Sequence, residues 1–272
     1  MSLCYAVASG KGGVGKSALA ANLGAALASL GNRVIIVDAD IGLRSQDALL
    51  ALEDHVVYDL LDLAGGECML QQAVLRCPSC PSLHLLPAAQ FARVKALDPK
   101  RFRRIITSLR DLYDYILIDC PAGIERGLRN VLNAGVDHVI LVTTPDNISL
   151  RSVERARQTA EKKEAANISL IVNRIDSLLV SSGEMMSAKT VSSVIDLPLL
   201  GEIPEDPAVN RSSLQHRLFI DFDCPARTAV MHIALRMTGQ DVPFPGFGSG
   251  KPSLFSRLKR SGLREVVPLD NH

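Results

Sequence analysis

The sequence of 272 residues predicts an α/β fold, a mostly parallel, twisted sheet with helices on both faces. Two observations predict it. Short aliphatic runs recur along the chain and are apolar throughout rather than alternating, as strands buried on both faces must be. Between most of them lie segments with helical spacing, and strands alternating with helices build parallel sheets. A composition of 47% hydrophobic and 22% charged residues is ordinary for a soluble globular protein, and chains of this size in the α/β class often form a single domain.

The strands are read at 3–9 (LCYAVAS), 33–40 (RVIIVDAD), 83–88 (LHLLPA), 113–120 (YDYILIDC), 137–144 (DHVILVTT), 168–174 (ISLIVNR) and 197–204 (LPLLGEIP). The first helix, SALAANLGAALASLG, stops at Gly31, since glycine readily takes the left-handed conformation that ends a helix. A second, RSVERARQTAEKKEA, carries its charges on one side. At 243–252 the stretch PFPGFGSGKP reads as a Pro/Gly linker, which leaves a main domain over 1–242 and a basic tail over 253–272.

A formal net charge of +1 provides no overall field for nucleic acid, so no specific nucleic-acid partner is expected. No stretch reaches the roughly 18–20 apolar residues that span a bilayer. The first residues run straight into a glycine loop without a cleavage-like segment, and a cytoplasmic location is expected. Six cysteines in a chain this long do not make a disulfide scaffold. Cys77 and Cys80 form a C-P-S-C pair with His84 nearby. A closed zinc site needs four ligands, so the pair is read as reduced loop thiols.

The chemistry starts at AVASGKGGVGKS, residues 6–17. Gly10, Gly12 and Gly15 spell the dinucleotide fingerprint, while Gly10, Gly15, Lys16 and Ser17 spell a triphosphate loop. Lys16 decides for the second, because a dinucleotide turn needs only backbone amides where a triphosphate loop needs an ammonium on the β- and γ-phosphates. Ser17 then supplies a hydroxyl for Mg2+. The apolar run YILID delivers Asp119 to a strand end, where a magnesium partner belongs. Lys11 leaves the loop on the far side from Lys16. Should two copies meet over their nucleotides, Lys11 can reach the partner's phosphates, the role an arginine finger plays elsewhere.

These residues carry a resemblance. KGGVGKS resembles the deviant Walker A motif of the ParA/MinD family of ATPases, DADIGLRSQD their first switch and DCPAGIE their second. VVYDLL, LLPAAQ, IVNRID and GEIPED also fall where that family has them, and the similarity runs from about residue 3 to 235. The family commonly has Asn-Leu where this chain has Ser45-Gln46, and threonine where it has Ala18.

The resemblance implies a P-loop NTPase fold and hydrolysis of ATP with Mg2+. ATP would be held along Gly10, Lys11, Gly12, Gly13, Val14, Gly15, Lys16, Ser17 and Ala18, with the amides from Gly12 to Ser17 around the phosphates. By matching motif, Lys16 binds β- and γ-phosphates in its own subunit and Lys11 those of the partner in an ATP-bound homodimer. Asp40 orients the attacking water, and Asp38 and Asp119 join Ser17 at magnesium. Asn173, Arg174, Pro204 and Asp206 resemble the adenine site, and NRID lacks the lysine of a guanine-reading motif.

The tail adds a membrane expectation. On a helical wheel Leu254, Phe255 and Leu258 share an arc of about 100°, with Arg257 and Arg260 opposite and Lys259 at the border. About nine residues are too few for a stable helix in water, so this helix should form on an anionic surface. Three apolar anchors worth roughly 1–2 kcal/mol each and cations worth about 1 kcal/mol each make a single tail marginal. Two tails on one dimer gain by roughly 10²–10⁴-fold.

Together with the tail, the resemblance to the ParA/MinD family implies a membrane-cycling ATPase that positions the division septum. It would be peripheral on the inner face of the cell membrane and would work with a MinC-like division inhibitor and an ATPase activator or polar anchor. Three alternatives share the fold. A flagellar-number regulator usually has an extra segment before the loop, where this chain has only a short strand. A DNA-partition ATPase would be retained on DNA with a steep salt dependence. An iron–sulfur carrier needs cysteines at the dimer face, where only Cys120 lies beside the second switch.

Overall fold

The computed structural model describes residues 2–90, 97–123, 126–165 and 167–244. In chain order these form β1 (Leu3–Ala8), α1 (Lys16–Ser29), β2 (Val34–Asp38), α2 (Gln46–Leu49), α3 (Leu60–Gly65), α4 (Leu70–Ala73), β3 (Leu75–Arg76) and β4 (Leu83–Leu86). Then come α5 (Pro99–Arg110), β5 (Tyr115–Asp119), α6 (Arg126–Leu132), β6 (His138–Thr143) and α7 (Asn147–Glu161). The remainder is β7 (Ile168–Ile175), α8 (Ser177–Ser182), α9 (Ala188–Ile195), β8 (Leu199–Pro204), α10 (Pro207–Leu214) and α11 (Pro225–Met237).

The strands make one sheet in the order β3-β4-β2-β5-β1-β6-β7-β8. Every neighbouring pair is parallel except β3 with β4. Successive side chains go to opposite faces, and both faces are dry. Ile35, Val37, Ile116 and Ile118 pack with Phe102 and Ile106 of α5 and Val153 of α7. Val34, Ile36, Tyr115 and Leu117 pack with Leu19, Leu23 and Leu27 of α1 and Val230 and Ile233 of α11. Each large side chain so buried contributes roughly 1.5–3 kcal/mol.

Helix α1 is buried on almost every side: Leu19, Ala20, Ala21, Leu23, Ala26, Leu27 and Ala28 have little or no exposure. Its alanines let it lie between the sheet and α11, so the end that carries Lys16 is fixed in place. In register, Val7 of β1 pairs with Asp119 of β5 and Asp119 with Asp38 of β2. Three central strands thus end at one level, at the carboxyl edge where parallel sheets hold ligands.

All seven expected strands are present, and β3 is an addition. The α7 helix starts ahead of the expected segment because the Asp146 side chain accepts from Ile148 N and Ser149 N, capping the helix. Of the 243–252 stretch, Pro243 and Phe244 are described. Arg236 donates to Pro243 O at 3.0 Å and lies 4.0 Å from the centre of the Phe244 ring. Residues 245–272, including the membrane candidates Leu254, Phe255, Arg257, Leu258, Lys259 and Arg260, lie outside the described residues. Among the described residues no helix is long and apolar enough to cross a membrane.

Candidate functional site

The loop between β1 and α1 is pinned on two sides. Gly10 lies so close to α7 that a Cβ would stand 2.0 Å from the Ser152 carbonyl oxygen. Gly15 has φ +89°, which favours glycine, and a Cβ there would come 2.5 Å from Asn173 Nδ2. Asn173 instead donates from Nδ2 to Val14 O at 2.8 Å, and Ser9 Oγ donates to Lys11 O at 3.0 Å. Gly15 caps α1 without any side-chain hydrogen bond. The helix therefore presents its first N–H groups to whatever anion approaches.

At the floor of this loop lies a buried charge set. Asp38 and Asp119 are both 0% exposed and Lys16 is 6% exposed. Lys16 Nζ forms an ion pair with Asp119 Oδ1 and donates to Ser17 Oγ at 3.1 Å. Asp38 accepts from Asp40 N at 3.0 Å and from Ser45 N and Gln46 N at 3.1 Å each. Burial pushes the Asp38 carboxyl up to about 7, and the charge on neighbouring Asp119 pushes the same way against the backbone donors and Lys16. Two buried carboxylates thus share one ammonium. That surplus of negative charge is what a divalent cation offsets, so these residues fit Mg2+.

Asp40 is half-buried. Burial raises its carboxyl above the usual range, with Lys16 acting in the other direction. It lines a cleft of about 530 Å³ with Lys11, Lys16, Ser17, Arg44 and Ser45. Arg44 has φ 42°, and its guanidinium is paired with buried Asp47.

Lys11 has a different setting. It is exposed and shares a second cleft of about 360 Å³ with Thr144, Asp146 and Arg174. Asp146 accepts from Thr144 Oγ1 and Ser149 Oγ at 2.6 Å each. Burial raises its carboxyl, but these hydrogen bonds outweigh that and, with Lys11 nearby, hold it at about 2.

Asn173, Arg174, Pro204 and Asp206 line a third cleft together with Gly15 and Ala18. The Asp206 carboxylate is committed to the backbone, accepting from Ala208 N at 2.9 Å and Ala226 N at 3.0 Å. The structure therefore gathers Lys16, Ser17, Asp38 and Asp119 at one point, with Asp40 at the rim, and leaves Lys11 exposed where this cleft and the second one both reach it. Sequence reasoning missed Gln46, which is fully buried and donates to Asp119 Oδ2 at 2.6 Å. The only signal was its departure from the family pattern. It also missed the Thr144–Asp146–Ser149 cluster, visible as a capping pattern before an apolar-spaced helix.

Cys77 is buried in the turn of the β3–β4 hairpin, with Cys80 partly exposed. Cys120 is fully buried beside Asp119, and burial pushes its thiol up.

A family model, ParA, described as NUBPL iron-transfer P-loop NTPase, matches residues 1–238. The septum site-determining protein MinD of Synechocystis sp. is 39% identical over 263 residues, covering 96% of this chain and 98% of that one. Among solved structures, the MinC:MinD cell division protein complex of Aquifex aeolicus superposes with a TM-score of 0.83 at 34% identity, covering 89% of this chain and 98% of that one. The septum site-determining protein MinD of Pyrococcus horikoshii complexed with Mg-ADP gives 0.76 at 29% identity, covering 87% and 96%.

Proposed function

Since this chain belongs to the ParA family of P-loop NTPases, we propose that it is the ATPase of a septum-positioning system and cycles on and off a membrane with its nucleotide. It hydrolyses ATP and uses Mg2+. The observation that carries the site is the buried set of Asp38, Asp119 and Lys16 beneath an uncapped helix N-terminus.

Ser17, Asp38 and Asp119 would hold Mg2+, which when bound supplies positive charge to the β- and γ-phosphates. Amides from Gly12 to Ser17 bind the phosphate oxygens, and Gly10, with Ser152 against it, keeps them aimed. Lys16 exchanges Asp119 for the phosphates. Asp40, at the rim of the cleft, orients the attacking water. Lys11 leaves its own loop exposed and reaches the phosphates of a second copy, so the ATP-bound form is a homodimer. The cleft at Asn173, Arg174, Pro204 and Asp206 takes the adenine, bounded by Gly15 and Ala18.

The remaining steps rest on the sequence and the relatives. The domain over 1–242 hands its state to the tail over 253–272 through the linker at 243–252. Leu254, Phe255 and Leu258 enter the lipid and Arg257, Lys259 and Arg260 meet anionic headgroups, which makes the protein peripheral on the inner face of the membrane. A MinC-like inhibitor is the partner supported by the Aquifex aeolicus complex, and an activator or polar anchor completes the system. An iron-carrying role finds less support: Cys120 is sealed in the core, and Cys77 and Cys80 sit at the opposite edge of the sheet from β8.

Co-sedimentation with anionic liposomes tests this reading. With ATP the intact chain should pellet and with ADP or no nucleotide it should not, while a chain ending before Lys251 should stay in solution throughout. Equal pelleting of both chains in ATP contradicts the membrane role.

A further inference from the structure

We propose that Gln46 is a positioning residue of the metal pocket, tying the segment after β2 to Asp119 and to the start of α1. The inference rests on the assignment of Ser17, Asp38 and Asp119 to magnesium made above.

One residue touches all three. Gln46 Nε2 donates to Asp119 Oδ2 at 2.6 Å and to Ser17 O at 3.0 Å, while its backbone N–H donates to Asp38 Oδ2. Both partners of Nε2 are acceptors, so the amide orientation is dictated and its oxygen cannot take that place. The consequence is an Oε1 that is buried without a hydrogen-bond partner. A residue kept only for packing would not leave that atom stranded, because an apolar side chain fills the same space without it. A leucine here could make neither side-chain bond.

Its effect follows from how Asp119 is held. Oδ1 is paired with Lys16 and Oδ2 with Gln46. When Lys16 turns to the phosphates, Oδ1 is released while Gln46 keeps the carboxylate in the same rotamer, leaving one oxygen free for a hydrated cation. With leucine at this position Lys16 is the one side-chain hold of this pair left on Asp119, and its departure leaves the carboxylate without either. Outer partners of this kind typically change metal affinity by about 10–100-fold.

The test is binding of a fluorescent ADP analogue to the full chain across an Mg2+ titration, with EDTA as the metal-free arm. Gln46→Leu, and Gln46→Met should the first not fold, are expected to raise the half-saturating Mg2+ concentration by about 10–100-fold. Binding in EDTA should equal that of the parent. If the parent itself shows no Mg2+ dependence, the metal assignment fails. If the parent responds and the variant follows the same curve, the role of Gln46 fails. Equal weakening with and without Mg2+ marks a purely structural residue and overturns the proposal as well.

Discussion

Lys11 and Lys16 stand on one loop in opposite surroundings. Lys16 is 6% exposed and paired with a carboxylate that is itself fully buried. Lys11 is exposed, beside an open cleft whose carboxylate, Asp146, is already satisfied by hydroxyl and backbone donors. The contrast teaches how a short loop divides its work. A buried ammonium is held by the fold it stabilises, and its removal is felt by that fold. An exposed ammonium beside an acid that is already satisfied is available to something outside the subunit.

Removing the buried lysine should give the largest effect. Lys16→Ala should lower ATP turnover by about 10³-fold or more and destabilise the ligand-free protein by about 3–5 kcal/mol, because two buried carboxylates lose their cation. Phosphate release and chemical denaturation measure the two quantities. Unchanged stability would break the comparison at its first term.

Lys11→Ala should separate the two readouts. Turnover is expected to fall by about 10²–10³-fold while stability stays within about 0.5 kcal/mol of the parent, as for an exposed side chain. A loss of stability equal to that of Lys16→Ala would show that the lysines are not divided in this way.

The smallest effect concerns the acid beside Lys11. Asp146→Ala removes the cap of α7 and should cost about 1 kcal/mol at pH 7. Its carboxyl is held below the unfolded value, so its contribution is full above pH 4 or so and is lost as pH falls through about 2. Melting curves of parent and variant should therefore converge toward acid pH.

How much of this was legible follows from the residues involved. The seven long strands announced themselves because burial on both faces demands unbroken apolar runs, and YILID had to carry Asp119 to a strand end. Strand β3 has two residues, too few to show any period. Gln46 was seen only as a departure. Its meaning depends on α2 folding back so that a side chain after β2 meets β5, which no spacing reveals. Asn173 and Asp206, expected at adenine, line one cleft with Arg174 and Pro204, and the structure adds bonds that no spacing reveals: the Asn173 amide braces the loop at Val14 and the Asp206 carboxylate caps α10.

The central claim is that phosphates bound in one copy are met by the ammonium of another. Sedimentation velocity with a non-hydrolysable ATP analogue tests it most directly. The parent should sediment as a dimer, and Lys11→Ala, bound to the same analogue, as a monomer. A Lys11→Ala protein that pairs as the parent does would contradict the claim.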